Sequence, residues 1–153
     1  MSEQNLESHP LNALTEDDLL ALRQCGRSIR FEDGKEILHQ GEHNASLYVV
    51  ERGSLHAFRD AAGRRRVFLG RLEAGSVFGE ISLFDPGPTT ASVAATEPGE
   101  LLEISGEDFR RFAELRPVAA TRLLLALTRQ MASRLRRTDQ RLMDAIVWGE
   151  SGR

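Results

Sequence analysis

The sequence predicts a mainly β domain with flanking helices: an antiparallel eight-stranded jelly roll (a double-stranded β-helix) followed by a long C-terminal helix. Three observations predict it. Eight short runs rich in β-branched, aromatic and leucine residues fall between residues 28 and 104. Glycine turn signals separate most of them. After Pro117, no glycine or proline interrupts the chain as far as Trp148. Runs at this spacing suit an antiparallel roll better than a βαβ arrangement, in which helical stretches would intervene.

The elements follow in order. Residues 1–14 open with the polar, acidic "MSEQNLESHP" and are expected to form a flexible N-terminus. "LTEDDLLALRQCG" then reads as a helix. Thr15 is a good N-cap with Asp18 three residues later, and Gly26 stops the helix. Acidic residues 16–18 suit the positive end of its dipole. The strand-like runs are "SIRF" 28–31, "EILH" 36–39, "SLYVVE" 46–51, "SLHAF" 54–58, "RVFLGRL" 66–72, "SVF" 76–78, "ASVAAT" 91–96 and "ELLEI" 100–104. The turns are marked by Asp33-Gly34, Gly41-Glu42, Arg52-Gly53, Ala62-Gly63, Ala74-Gly75 and Pro98-Gly99. "SGEDFRRFAEL" starts a helix near Ser105, and Pro117 permits a new start. The domain is expected to span 15–148, with the barrel over about 28–104, the long helix over about 117–148, and 149–153 as a tail.

About 30 helical residues reach some 45 Å, longer than one small barrel needs. One register places Leu124, Met131, Thr138 and Ala145 seven apart, with Thr128, Leu135 and Leu142 in the second seam. This heptad pattern predicts a homodimer through residues 117–148. The alternative is one helix packed along the barrel with its far face wet.

Composition narrows the function classes. At 153 residues the chain suits one domain with one sizeable core. A net charge of −3 argues against a dedicated nucleic-acid binder. No apolar run approaches the roughly 18 residues of a membrane span, and the N-terminus is no secretory signal. A single cysteine, Cys25, allows no internal disulfide, so the cytoplasm is the expected compartment. Cys25 reads as a small residue near a helix end rather than a reactive thiol.

Residue chemistry does not suggest an enzyme. His9, His39, His43 and His56 raise a metal site, but His39 and His43 are four apart across the Gly41 turn, where strand alternation does not align them. No metal and no cofactor are expected. There is no G-x-S-x-G elbow, and Ser82 near Glu80 has no histidine close in sequence. The basic runs "GRRRV" 63–67 and "RLRRTDQR" 134–141 lack interleaved aromatics and read as solvated surfaces.

One stretch carries a more specific signal: "VFGEISLFDPGPTTASVAA", residues 77–95. A glycine lets backbone approach closely, and a short helix start aims free N–H groups outward, as an anion cradle requires. The stretch contains no lysine or arginine; its only charges are Glu80 and Asp85.

Phe78, Gly79, Glu80, Ile81, Ser82, Leu83, Pro88, Ala91, Val93 and Ala95 resemble the phosphate-binding cassette of cyclic-nucleotide-binding domains. "ILHQGEHNASLYVVERGSL" 37–55 and "DAAGRRRVFLGRLEAGSVFGE" 60–80 are similar to the family's preceding segments. With the flanking helices, the resemblance to the catabolite-activator type covers roughly residues 15–148. It implies that backbone N–H groups near Ile81, Ser82 and Leu83 hold the cyclic phosphate, with Gly79 at the cassette's turn. It also implies that Glu80 accepts from the ribose 2′-OH. The family's phosphate-pairing arginine falls nine residues after that glutamate, where this chain has Thr89. Thr90 falls where a hydroxyl often lies near the phosphate. Thr138 and Asp139 fall where activator-type members contact the adenine edge across the dimer.

The missing arginine has an energetic consequence. Losing one partner of a buried charge pair costs roughly 2–5 kcal/mol, or on the order of 30- to 3000-fold in affinity. Arg59, the 64–66 triplet, Arg71 and Arg134 are the candidate replacements, and sequence does not place them. If none reaches the pocket, Glu80 is a liability there or a structural acceptor for the turn.

The resemblance therefore implies a regulatory sensor module for a cyclic AMP-like or related phosphate ligand. It is expected to bind weakly and to signal through its long helix to a protein partner. The alternatives are a ligand-independent dimerisation or protein-interaction domain and, further off, a cupin-like metalloenzyme. The chain reaches "WGESGR" about where the activator type begins its DNA-binding domain, so no direct DNA binding by this chain is expected.

Overall fold

A capping box opens the first helix, α1 (Glu16–Cys25). The Thr15 hydroxyl accepts from the Asp18 N–H at 3.2 Å, and the Asp18 carboxylate accepts from the Thr15 N–H at 3.3 Å. The computed structural model describes residues 9–63 and 65–152. The strands follow as β1 (Arg27–Phe31), β2 (Glu36–Leu38), β3 (His43–Asn44), β4 (Ser46–Arg52), β5 (Leu55–Ala61), β6 (Arg65–Leu72) and β7 (Val77–Phe78). A short helix α2 (Glu80–Phe84) interrupts them, before β8 (Gly87–Pro88), β9 (Ser92–Ala95) and β10 (Gly99–Ser105). Helices α3 (Gly106–Leu115) and α4 (Pro117–Ser151) end the chain.

All the pairings are antiparallel. One sheet runs β1-β10-β4-β7, the second runs β2-β9-β5-β6, and β3 pairs with β8. Strand alternation divides the interior into two cores. Along β4, Leu47 and Val49 face the helices and join Leu22, Ile104, Phe112, Leu123 and Leu127. Tyr48 and Val50 face the inside of the roll and join Phe31, Leu55, Phe78, Val93 and Leu101. Because β4 is covered on both faces, residues 46–50 are all buried. Each buried leucine or valine contributes roughly 1.5–3 kcal/mol relative to exposure.

All eight expected runs are strands. The structure adds β3 and β8, which pair with each other from segments that read as turn and loop. The flexible N-terminus is corrected in part. Pro10–Ala13 forms a 3-10 turn packed near α4, with Pro10 and Leu14 buried. Residues 1–8 of that expectation lie outside the described residues. The tail is also corrected, because helix α4 continues through Ser151.

Helix α4 has two regimes. Ala119, Ala120, Leu123 and Leu127 are buried against the barrel and α3. From Arg134 to Gly152 every residue is exposed, about 27 Å of helix up to Ser151. That stretch displays Leu135, Leu142, Met143, Ile146, Val147 and Trp148 to solvent. Among the described residues, no helix is long and apolar enough to cross a membrane.

Candidate functional site

The site grows from the junction of β7 and α2. The chain must turn from strand to helix in one residue, and Gly79 does this at φ +80°. A Cβ there would lie 2.6 Å from the Ser46 carbonyl oxygen, so glycine is required by conformation and by space. The facing wall is braced by Asn44, whose Nδ2 donates to the Ser46 carbonyl at 2.8 Å. The Tyr48 ring stacks on Phe78 with centroids 5.1 Å apart. Burial and the neighbouring Glu103 carboxylate push the Tyr48 phenol up to about 12, so it remains a proton donor at ordinary pH.

Helix α2 leaves few donors unused. The N–H groups of Glu80, Ile81 and Ser82 precede its first i→i−4 bond. The Leu83 N–H donates to the Gly79 carbonyl at 3.2 Å, and the Asp85 N–H to that of Ile81 at 2.8 Å. Leu83, expected as a third backbone donor to a phosphate, is thus already engaged within the turn. The Ser82 side chain is buried, while that of Ile81 points to solvent.

Glu80 is 3% exposed, and a buried carboxylate requires a partner. Its partner is Arg134 of α4, whose Nη1 donates to Glu80 Oε1. The reading of Glu80 as an acceptor for its own turn is therefore replaced by an ion pair across 54 residues of sequence. No local pattern pointed to that pair; the available signal was that a carboxylate beside an apolar strand needs a cation.

Thr89 is locked to the turn before β3. Its hydroxyl donates to the His39 carbonyl at 2.8 Å, and its N–H to the Glu42 carbonyl at 2.9 Å. Its carbonyl accepts from the Gly41 N–H at 2.9 Å. The hydroxyl proton expected for a ligand is spent on the protein. The carbonyl of exposed Thr90 accepts from Arg59 Nε at 2.8 Å. Thr138 lies one turn beyond Arg134 and donates back to the Arg134 carbonyl at 3.0 Å. Asp139 is exposed on the next position. The structure brings together Gly79, Glu80 and Arg134, and separately Thr89, Thr90 and Arg59. No described hydrogen bond ties Thr138 or Asp139 to the cassette.

Two of the other candidate arginines, Arg66 and Arg71, are committed elsewhere. Arg66 pairs with Asp60 at 2.9 Å and lies over the Phe58 ring at 4.0 Å. Arg71 donates to the Ser54 hydroxyl at 3.1 Å and pairs with Glu73 at 3.3 Å. Arg64 lies outside the described residues. His39 pairs with Glu36, whose carboxylate raises the imidazole above its ordinary value. The His56 ring lies 5.2 Å from Phe58 and 6.4 Å from Phe68. Among the described residues, no three His, Cys, Asp or Glu side chains gather in a metal-holding group.

Comparisons with known proteins place this geometry. A family model described as "Cyclic nucleotide-binding domain" matches residues 28–116. The Cyclic AMP receptor protein of Thermus thermophilus is 37% identical over 123 residues, covering 80% of this chain and 55% of that protein. The solved structure of the Thermus thermophilus Catabolite Activator Protein superposes with a TM-score of 0.79 at 30% identity, covering 88% of this chain and 62% of that one. The N-terminal domain of a transcriptional regulator from Streptomyces coelicolor A3(2) gives 0.72 at 32% identity, covering 88% and 94%. The chain spans about half the length of the curated relatives it matches.

Proposed function

The chain belongs to the cyclic nucleotide-binding domain family, and we propose that it is a regulatory sensor module whose barrel takes a cyclic nucleotide and whose helix α4 carries the response. The observation that carries this reading is the pair between Glu80, in the family's ribose-binding position, and Arg134 of α4. A ribose 2′-OH donating to Glu80 shares or displaces Arg134, so occupancy of the barrel is felt on the helix. A ligand shifts such an equilibrium only by its unequal affinity for the two helix positions. The N–H groups of Ile81 and Ser82 are the proposed phosphate donors, and Thr138 and Asp139 remain proposed base contacts.

Cyclic AMP is the proposed ligand because the Thermus thermophilus relative is named as its receptor. Unless another arginine reaches the phosphate, binding is proposed to be weaker than in members with an arginine at this position, since Thr89 brings no charge and its hydroxyl is engaged. The apolar row from Leu135 to Trp148 supports a homodimer through α4. A protein partner for the signal and a cytoplasmic setting belong to the same proposal, and no catalytic role is proposed. Calorimetric titration of the whole chain with cyclic AMP, cyclic GMP and cyclic di-GMP tests the reading. One saturable site per chain for a cyclic nucleotide is expected; no heat from any of the three at millimolar concentration would overturn it.

A second reading is favoured by how completely the pocket satisfies itself. Glu80 is neutralised from within, and Thr89 is closed onto His39. A ligand-independent dimerisation or protein-interaction domain fits those two contacts. It predicts a stable dimer in the same titration with no nucleotide heat.

A further inference from the structure

We propose that Arg59 supplies the charge that Thr89 lacks, pairing through its terminal amino groups with the phosphate of a cyclic mononucleotide. The inference rests on the cyclic-nucleotide reading above. Where β5 pairs with β9, Leu55 lies opposite Ala95, Ala57 opposite Val93 and Phe58 opposite Ser92. Leu55 and Ala57 face the core inside the roll, while the tilted His56 and Phe58 rings meet each other with centroids 5.2 Å apart. Arg59 follows at the end of the β5–β9 pairing, where its exposed side chain reaches the cassette loop. Its Nε is fixed there by the Thr90 carbonyl at 2.8 Å, one residue from the position where the cation is missing.

The remaining chemistry of Arg59 suits the role. Among the described residues it has no carboxylate partner, unlike Arg66, Arg71 and Arg134. With Nε occupied, the two Nη groups still form an end-on fork, which matches two phosphate oxygens. The Thr90 contact limits the rotamers the side chain must give up on pairing.

The test is calorimetry of the whole chain with cyclic AMP, comparing wild type with Arg59→Gln, Arg59→Lys and the double variant Arg59→Gln/Thr89→Arg. Arg59→Gln is expected to weaken binding by roughly tenfold or more, the scale of one lost charge-assisted pair. Arg59→Lys retains most of the affinity because it keeps the charge. Thr89→Arg in the Gln background restores binding, which also shows that the Gln variant is folded. Wild-type binding with Arg59→Gln within twofold of it would overturn this inference while leaving the sensor reading intact. Lysine as weak as glutamine would overturn it too, since charge would not be the determinant. A wild type that binds no cyclic AMP would remove both.

Discussion

Glu80 sits at the first position of a five-residue helix, and helix-dipole attraction alone does not hold a carboxylate at 3% exposure. Arg134 holds it, from a helix that is otherwise in water at that point. The arginine side chain is 44% exposed, so the pair is half-screened, and its loss costs less than that of a fully buried pair. Arg134→Ala should lower stability by about 1–3 kcal/mol, chiefly by leaving the carboxylate unpaired. The double variant Glu80→Gln/Arg134→Ala should be more stable than Arg134→Ala alone. Urea unfolding of the four members of this cycle measures the coupling. An Arg134→Ala protein as stable as wild type would mean that the pair does not hold the carboxylate. The ion pair was not legible in the sequence, because two residues 54 apart share no local pattern. Arg59 and Arg134 stood equal as candidates there, and only the register of β5 and the path of α4 separate them.

Among the elements, those with strong local grammar were legible. Thr15 with Asp18, and Ser105 with Asp108, each form the reciprocal box that their spacing suggests. β4 reads as an unbroken apolar run over residues 47–50, as a strand covered on both faces does. β3 and β8 were not legible, since two-residue strands built from turn residues carry no period. The Pro10–Ala13 turn was missed for a related reason: its order comes from packing near α4, not from its own residues. The box on α3 also makes a prediction. Burial pushes the Asp108 carboxyl up, but the Ser105 N–H and hydroxyl and the Arg111 guanidinium outweigh it, leaving the group below its ordinary 3.8. A carboxyl held low in the folded state stabilises above its unfolded value, and that stability is lost as pH falls through the lower folded value. Asp108→Asn should therefore lower the Tm at neutral pH, with the difference from wild type shrinking below about pH 4. A difference constant with pH would show that the carboxylate's charge is not what caps the helix.

At the scale of the whole molecule, α4 joins two places that the barrel keeps apart. Its first half is core, and its second half carries Arg134 onto the cassette before running on with Leu135 and Leu142 exposed at 63% and 59%. Apolar side chains repeated along a projecting helix are costly in a monomer and suit a second copy. Leu135→Glu with Leu142→Glu should convert a light-scattering dimer into a monomer while the barrel's Tm holds. An unchanged mass would place the dimer contact elsewhere or remove it. The same helix ends beside the one tryptophan in the chain, Trp148, which is 79% exposed. On the proposed reading, filling the barrel moves α4. The most direct test is to follow Trp148 emission while cyclic AMP is titrated into the whole chain. A saturable change with the midpoint found by calorimetry is expected; emission that stays flat through calorimetric saturation would contradict the claim.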